Sequence, residues 1–261
     1  MQLVYALKGG QVEEFLLPDH DQRVMDGVEW GHHYAVFTPA YWATQAWLCS
    51  TDAKCRSSFR LGQSLEEELA ACLLGGYGIP AEVGLAAFYR VRDSGMLSGQ
   101  APTEDELLNV LTPPLEIESR VVRYRFARQR SRYLSLALQA LKSESPPTND
   151  DRLFRDWFLN LSGIGPKTAS WITRNWLGSD AVAIVDIHVY RAGLLAGFYR
   201  TSETPSKHYF QLEEKFLKFA RSINVRASFL DALIWRHMKD AGNLVFRTLN
   251  QLDCHRSEFV N

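Results

Sequence analysis

The stretch Leu161–Arg191, LSGIGPKTASWITRNWLGSDAVAIVDIHVYR, constrains this chain more than any other. Two glycines, a proline and a lysine stand together in Ser162-Gly163-Ile164-Gly165-Pro166-Lys167. Glycine permits a tight turn and close backbone approach, and proline suits the first turn of a helix, where its missing N–H costs nothing. Before the turn, Asp151 to Leu161 is amphipathic, with Leu153, Phe154, Trp157, Phe158 and Leu161 on one face. The pattern predicts helices over 151–161 and 167–177, a helix-hairpin-helix at 151–177. Free N–H groups at the start of the second helix form a phosphate site. Such a site holds a nucleic-acid backbone without reading its sequence, which makes Gly163 and Gly165 candidate backbone-binding residues.

Nineteen positions after Lys167 comes Val185-Asp186-Ile187-His188-Val189, which sets a carboxylate where another helix should begin. The residues alone leave two readings open. Lys167 is a phosphate contact and Asp186 a helix N-cap, or the pair is a nucleophile with its polar partner. Gly-x-Gly-Pro-Lys-Thr also looks superficially like a nucleotide-binding P-loop. That motif needs Gly-Lys-Ser/Thr after four spaced residues and a preceding strand. Here a proline separates Gly165 from Lys167 and a helix precedes the turn, so the P-loop is set aside.

The rest of the chain reads as nearly all helical. Leu3-Val4-Tyr5-Ala6-Leu7 suits a short strand and Gly9-Gly10 a turn. Helices are expected after Thr38 to about Ser50, from the capping box at Ser64 to Leu74, over about 80–92, from the capping box at Thr103 to Leu111, and over 115–142. Gly75-Gly76-Tyr77-Gly78 should stop the second of these. Beyond lie helices at roughly 186–199, 205–221 and 226–240. The predicted helix 115–142 carries Arg120, Arg123, Arg125, Arg128, Arg130 and Arg132 with no acid among them. That run reads as a solvated face or as a surface turned to phosphates. The polar, proline-containing loop at 143–150 divides a single domain, 1–261, into subdomains 37–142 and 150–241.

Bulk properties exclude little but exclude it firmly. At 261 residues with 46% hydrophobic and 23% charged residues, composition is ordinary for a globular protein. No apolar run is long enough for a membrane span, and the opening MQLVYALKGGQVEEF lacks the features of a signal peptide. A cytoplasmic protein is expected. A net charge of −1 is not that of a generally basic nucleic-acid coat, so any nucleic-acid contact must come from charge distribution. Cys49, Cys55, Cys72 and Cys254 form no CxxC pair and read as free, mostly buried thiols. His32-His33 with Cys49 or Cys55 fits no zinc spacing, and no metal site is expected.

Leu161-Ser162-Gly163-Ile164-Gly165-Pro166-Lys167-Thr168-Ala169 together with Val185-Asp186-Ile187-His188-Val189-Tyr190-Arg191 resembles the helix-hairpin-helix-Gly/Pro-Asp superfamily of base-excision DNA glycosylases. Ser162 stands where the family usually has proline, a departure that bears on turn rigidity. The resemblance implies a mainly α, two-subdomain glycosylase fold acting as a monomer on damaged double-stranded DNA in the nucleoid. It implies that Lys167 attacks C1′ of the damaged nucleotide, expels the base and leaves a Schiff base whose β-elimination nicks the strand. Asp186 would stabilise the positive charge developing on the sugar and help orient or deprotonate Lys167. His188 and Arg191 would hold phosphates, with a structural role equally open. The resemblance implies no required cofactor and allows a structural monovalent cation at the hairpin.

Among branches of that superfamily, the iron–sulfur branch needs four cysteines near the C-terminus, where this chain has only Cys254. The alkyl-base branch lacks the lysine. The bacterial and archaeal type of 8-oxoguanine glycosylase/lyase keeps the lysine and has no cluster, so the resemblance favours 8-oxoguanine. In it an acid and a tryptophan four apart on the C-terminal pocket helix contact the base; Asp231 and Trp235 match that separation. Gln45, among aromatic neighbours, suits the Watson–Crick edge of a purine. Structural alternatives are a core tryptophan, an acid paired with a neighbouring base, and an amide satisfying a backbone group. Another oxidised or modified base, or a non-catalytic helix-hairpin-helix DNA-binding module, are the competing functions. Residues 1–36 and 242–261 yield no functional reading.

Overall fold

The computed structural model describes residues 1–50, 59–76 and 78–258, with side chains to residue 251. Cys55, Tyr77 in the Gly75–Gly78 helix stop, and the side chain of Cys254 therefore lie outside the described residues. In chain order the elements are β1 (Gln2–Lys8), β2 (Gln11–Leu17), β3 (Arg23–Met25), β4 (Val28–Glu29), α1 (Pro39–Cys49), α2 (Leu65–Leu74), α3 (Ala81–Asp93), α4 (Glu104–Leu111), β5 (Leu115–Ile117), β6 (Arg120–Val122), α5 (Ala127–Ser143), α6 (Asp151–Leu159), α7 (Pro166–Leu177), α8 (Ile187–Ala196), α9 (Pro205–Ser222), α10 (Ala227–Ala241) and α11 (Asn243–Glu258). The fold is mainly α, with three two-stranded antiparallel sheets among the described residues. None of the described helices is long and apolar enough to cross a membrane.

Local chemistry explains most boundaries. Gly9 and Gly10 both take positive φ, 58° and 83°, which is what the turn of a tight β1–β2 hairpin requires. The Thr38 hydroxyl accepts from the Tyr41 amide and Pro39 opens α1. Thr103 and Glu106 form the expected reciprocal capping box on α4. At α2 the box is displaced: Ser64 accepts from Glu67 N, but the Glu67 carboxylate reaches back to Gln63 N rather than to Ser64 N. The strands β2, β3 and β4 and the helix α11 lie outside the elements expected from the sequence.

The expected helix over 115–142 is two things. Leu115 and Ile117 are buried and Glu116 is exposed, the period-two alternation of a strand. After Pro113-Pro114 the chain therefore forms the β5–β6 hairpin, turning at Glu118 with φ 52°, and α5 begins only at Ala127. Of the six arginines, Arg120 lies on β6, Arg123 and Arg125 on the connector, and Arg128, Arg130 and Arg132 on α5.

Two compact units emerge, and their boundary differs from the expected subdomains. The first comprises Met1–Ser57 with Asp180–Asn261; the second is Ser58–Ser179. The polar loop expected at 143–150 is not a divide, because Leu134 and Leu138 before it share one buried core with Phe154 and Phe158 after it. That core also takes Leu69, Leu73, Phe88, Leu107 and Ile172 from the other helices of the second unit. The first unit closes separately around Trp42, Phe198, Tyr199, Phe216, Phe219, Leu230 and Ile234.

Candidate active-site elements

The hairpin turn belongs to the second unit. Asp150 caps α6 by accepting from Arg152 N and Leu153 N. The helix ends at Leu159, and Ile164 N returns to Leu161 O to close the turn. Leu153, expected on the apolar face, is exposed, whereas Phe154 and Phe158 are wholly buried. Gly163 has φ 83°, and a Cβ there would overlap the Tyr133 ring of α5, so both conformation and space demand glycine. Gly165 is different: its φ is negative and a Cβ would meet nothing within 4 Å. As N-cap of α7 it brings no side-chain cap, which leaves first-turn N–H groups for an anion.

Lys167 follows Pro166 in the first turn of α7 and is half-buried, its Nζ 5.7 Å from the centre of the Trp171 ring one turn on. Trp171 in turn lies against Gly75, where a Cβ would stand 3.2 Å from the indole. Below this, the fully buried Glu68 carboxylate accepts from Leu61 N (2.7 Å), Gly62 N (3.0 Å), Asn175 Nδ2 (2.6 Å) and Cys72 Sγ (3.6 Å). Asn175 is on α7 and Glu68 on α2, so this buried acid fastens the helix that carries Lys167. Burial, then the charge of Glu68, pushes the Cys72 thiol well above its usual range, which keeps it a donor.

Asp186 belongs to the first unit. It is the N-cap of α8, and one oxygen, Oδ1, accepts from both His188 N (2.8 Å) and Val189 N (2.9 Å). The approach to it, Val182–Val185, is buried and has no strand partner, so its amides need side-chain acceptors. Three supply them. Ala183 N donates to Glu213 Oε1 (3.0 Å), Ile184 N to Asp231 Oδ2 (3.2 Å) and Val185 N to the Tyr209 hydroxyl (3.2 Å), which itself donates to Ala183 O (2.9 Å). Glu213 and Tyr209 of α9 went unnoticed in the sequence; the available signal was an acid set within the apolar run of α9 beside Leu212 and Phe216. Tyr209→Phe removes one acceptor and one donor from this buried segment. Thermal unfolding should register a loss of roughly 1–3 kcal/mol, the cost of leaving buried backbone groups unpaired.

The other expected residues are placed as follows. Asp231 and Trp235 do not share an environment: Asp231 is 1% exposed and engaged with Ile184 N, while Trp235 is 37% exposed. Asp231 falls on the buried side of α10 with Leu230, Leu233 and Ile234, and Trp235 lies at the edge of that side. Trp235 meets the His188 ring edge-on at 6.3 Å and has Lys239 Nζ 5.0 Å from its centre. Arg191 stacks on Phe246 of α11 at 4.5 Å. Gln45 is half-buried on α1, and among the described residues its amide has no hydrogen bond. Two neighbouring turns of α1 and α10 are tied by Tyr41 Oη and His237 Nδ1 at 3.0 Å; burial holds His237 below the usual imidazole range. The structure thus brings Asp186, His188, Arg191, Gln45 and Trp235 into one unit, and Gly163, Gly165 and Lys167 into the other.

The sequence profile of the family described as 8-oxoguanine DNA glycosylase matches residues 60–225, more than half of the chain. The chain belongs to this family. An 8-oxoguanine DNA glycosylase/AP lyase of Saccharolobus islandicus is 32% identical over 123 residues, 43% of this chain. The chain spans 58% of the length of the curated relatives it matches there. Two solved structures share the fold. The 8-oxoguanine DNA glycosylase of Thermotoga maritima aligns with a TM-score of 0.59 at 23% identity, covering 76% of this chain and 95% of that one. The 8-oxoguanine glycosylase/lyase of Methanocaldococcus jannaschii, in complex with a 15mer DNA containing 8-oxoguanine, aligns with a TM-score of 0.50 at 22% identity over 76% of this chain and 87% of that one. The matched span contains the hairpin turn, Lys167 and Asp186 but not residues 1–59, α10 or α11.

Proposed function

We propose that the protein is a base-excision DNA glycosylase with AP lyase activity that removes 8-oxoguanine from duplex DNA. The observation that carries this is the placement of Lys167 in an uncapped first helical turn behind the hairpin, within a chain of the 8-oxoguanine glycosylase family. The amine of Lys167 attacks C1′ while the glycosidic bond breaks and its electron pair leaves with the base, which takes a proton. The sugar opens to an imine on Nζ. Loss of a C2′ proton then expels the 3′ phosphate and cuts the strand. The attack requires the unprotonated form of the amine, which carries the lone pair. Asp186 offsets the positive charge that builds on the sugar as the base departs. Gln45 and Trp235 are proposed to face the extruded base, the amide reading its edge and the indole its face.

Supporting roles complete the proposal. The hairpin amides around Gly163 and Gly165 hold phosphates, joined by His188 and Arg191. The steps call on no cofactor, and a monovalent cation at the hairpin would be structural. The enzyme is proposed to work as a monomer on chromosomal DNA in the cytoplasm. The test is excision on duplexes that each carry one defined lesion. Cleavage of an 8-oxoguanine strand opposite cytosine is expected, with a borohydride-trapped adduct. Activity confined to another oxidised base would keep the mechanism and change the substrate. Binding without any cleavage or adduct would leave a DNA-binding module.

A further inference from the structure

We propose that the segment Arg120–Arg132 is a second surface for the sugar–phosphate backbone of duplex DNA, continuous with the hairpin turn; this rests on the DNA-acting function proposed above. Six arginines fall within thirteen residues and no acid stands among them. Among the described residues, only Arg120 of the six finds a carboxylate, Glu82 at 3.6 Å. Among the described residues, Arg123, Arg125, Arg128, Arg130 and Arg132 form no ion pair. Arg123, Arg125, Arg128 and Arg132 are exposed, and the Nε of Arg130 is buried without a hydrogen-bond partner among the described residues.

Fold stability does not explain the array. α5 opens at Ala127 with no side-chain cap and no acid in its first turn. Arg128 and Arg130 therefore sit at the positive end of the helix, where cations are disfavoured. Arg128 and Arg132 are one turn apart, a spacing at which like charges repel. An arrangement unfavourable in the isolated protein becomes favourable when an anion approaches. The position specifies which anion. Tyr133, the next residue, packs its ring on Gly163 at the hairpin turn, and Gln129 Nε2 donates to the Tyr133 hydroxyl at 3.4 Å. The arginine-bearing start of α5 therefore flanks the phosphate-binding turn directly, and a backbone held by one lies along the other. Guanidinium groups pair bidentately with phosphate and need no base sequence.

The experiment compares R128Q/R132Q with K207Q/R221Q, which removes the same charge from exposed positions of the first unit. Affinity for an undamaged duplex and a lesion duplex is measured from low to moderate salt. Each lost phosphate contact lowers the slope of log K against log salt by about 0.9. The Arg128/Arg132 variant should thus show a slope smaller by about 2 and equal loss on both duplexes, roughly 10- to 100-fold near 0.1 M salt. The control should match the parent. A slope indistinguishable from the control overturns the proposal, as does a loss confined to the lesion duplex. Melting temperature guards against misfolding: removing two first-half arginines should leave it level or raise it, and a drop of more than a few degrees transfers the test to Arg123→Gln and Arg125→Gln off the helix, where the same slope criterion decides. If the parent itself fails to bind duplex DNA, the functional reading falls instead.

Discussion

Replacing Lys167 with glutamine is expected to abolish the borohydride-trapped DNA adduct and to lower strand cleavage by on the order of 10³-fold or more, as loss of a covalent nucleophile does. The substitution is mild for the fold. Position 167 is half-buried in the first turn of α7, glutamine is a good helix former, and the acceptor set that fastens α7, Glu68 with Asn175, is untouched. Melting should therefore stay within about 0.5 kcal/mol of the parent, the usual range for a substitution that breaks no buried bond. Two readings of Lys167 part at this point. As a phosphate contact only, its loss would reduce the salt slope by about 0.9 and weaken binding to every duplex alike. No adduct would then form with the parent protein either. As a nucleophile, its loss removes the adduct while most duplex affinity remains. An unchanged adduct from Lys167→Gln would move the imine to another amine and sink the assignment.

What the sequence made legible follows from how local the causes are. The hairpin turn needs Gly163 because both its φ and its contact with Tyr133 forbid a side chain, and a glycine-proline pair announces such a turn. Asp186 could be placed at a helix start because capping is decided within three residues. The segment 115–142 was misread because its arginines invite a helical reading. The alternation of Leu115, Glu116 and Ile117, which decides the strand, is only three residues long. Asp231 shows a different limit. Spacing sets it one turn from Trp235, but whether a helical acid faces a pocket or a buried amide depends on Ile184, forty-seven positions away. The partners of Val182–Val185 are likewise invisible from a distance. This buried, non-helical stretch acquires three side-chain acceptors only once α9 and α10 fold over it. The division into two units escaped for the same reason, since the first is built from both ends of the chain.

Asp186→Asn separates the two jobs that one carboxylate holds. Asparagine is as good an N-cap as aspartate, and its side-chain oxygen can take both bonds that Asp186 Oδ1 now accepts from His188 N and Val189 N. The helix should persist, so stability should change by no more than about 0.5 kcal/mol. The charge is gone, however, and stabilisation of a cationic sugar depends on charge rather than on hydrogen-bond geometry. Single-turnover excision should fall by roughly 10²- to 10⁴-fold, the range found when an electrostatic or acid–base group is removed. Asp186→Ala should match that fall and add a stability loss of about 1 kcal/mol from the missing cap. The comparison is decisive because the proposal predicts equal falls for the two variants and the alternative predicts unequal ones. If Asp186 were a cap alone, the asparagine variant would excise at the parent rate and only alanine would be impaired, through α8 rather than through the reaction.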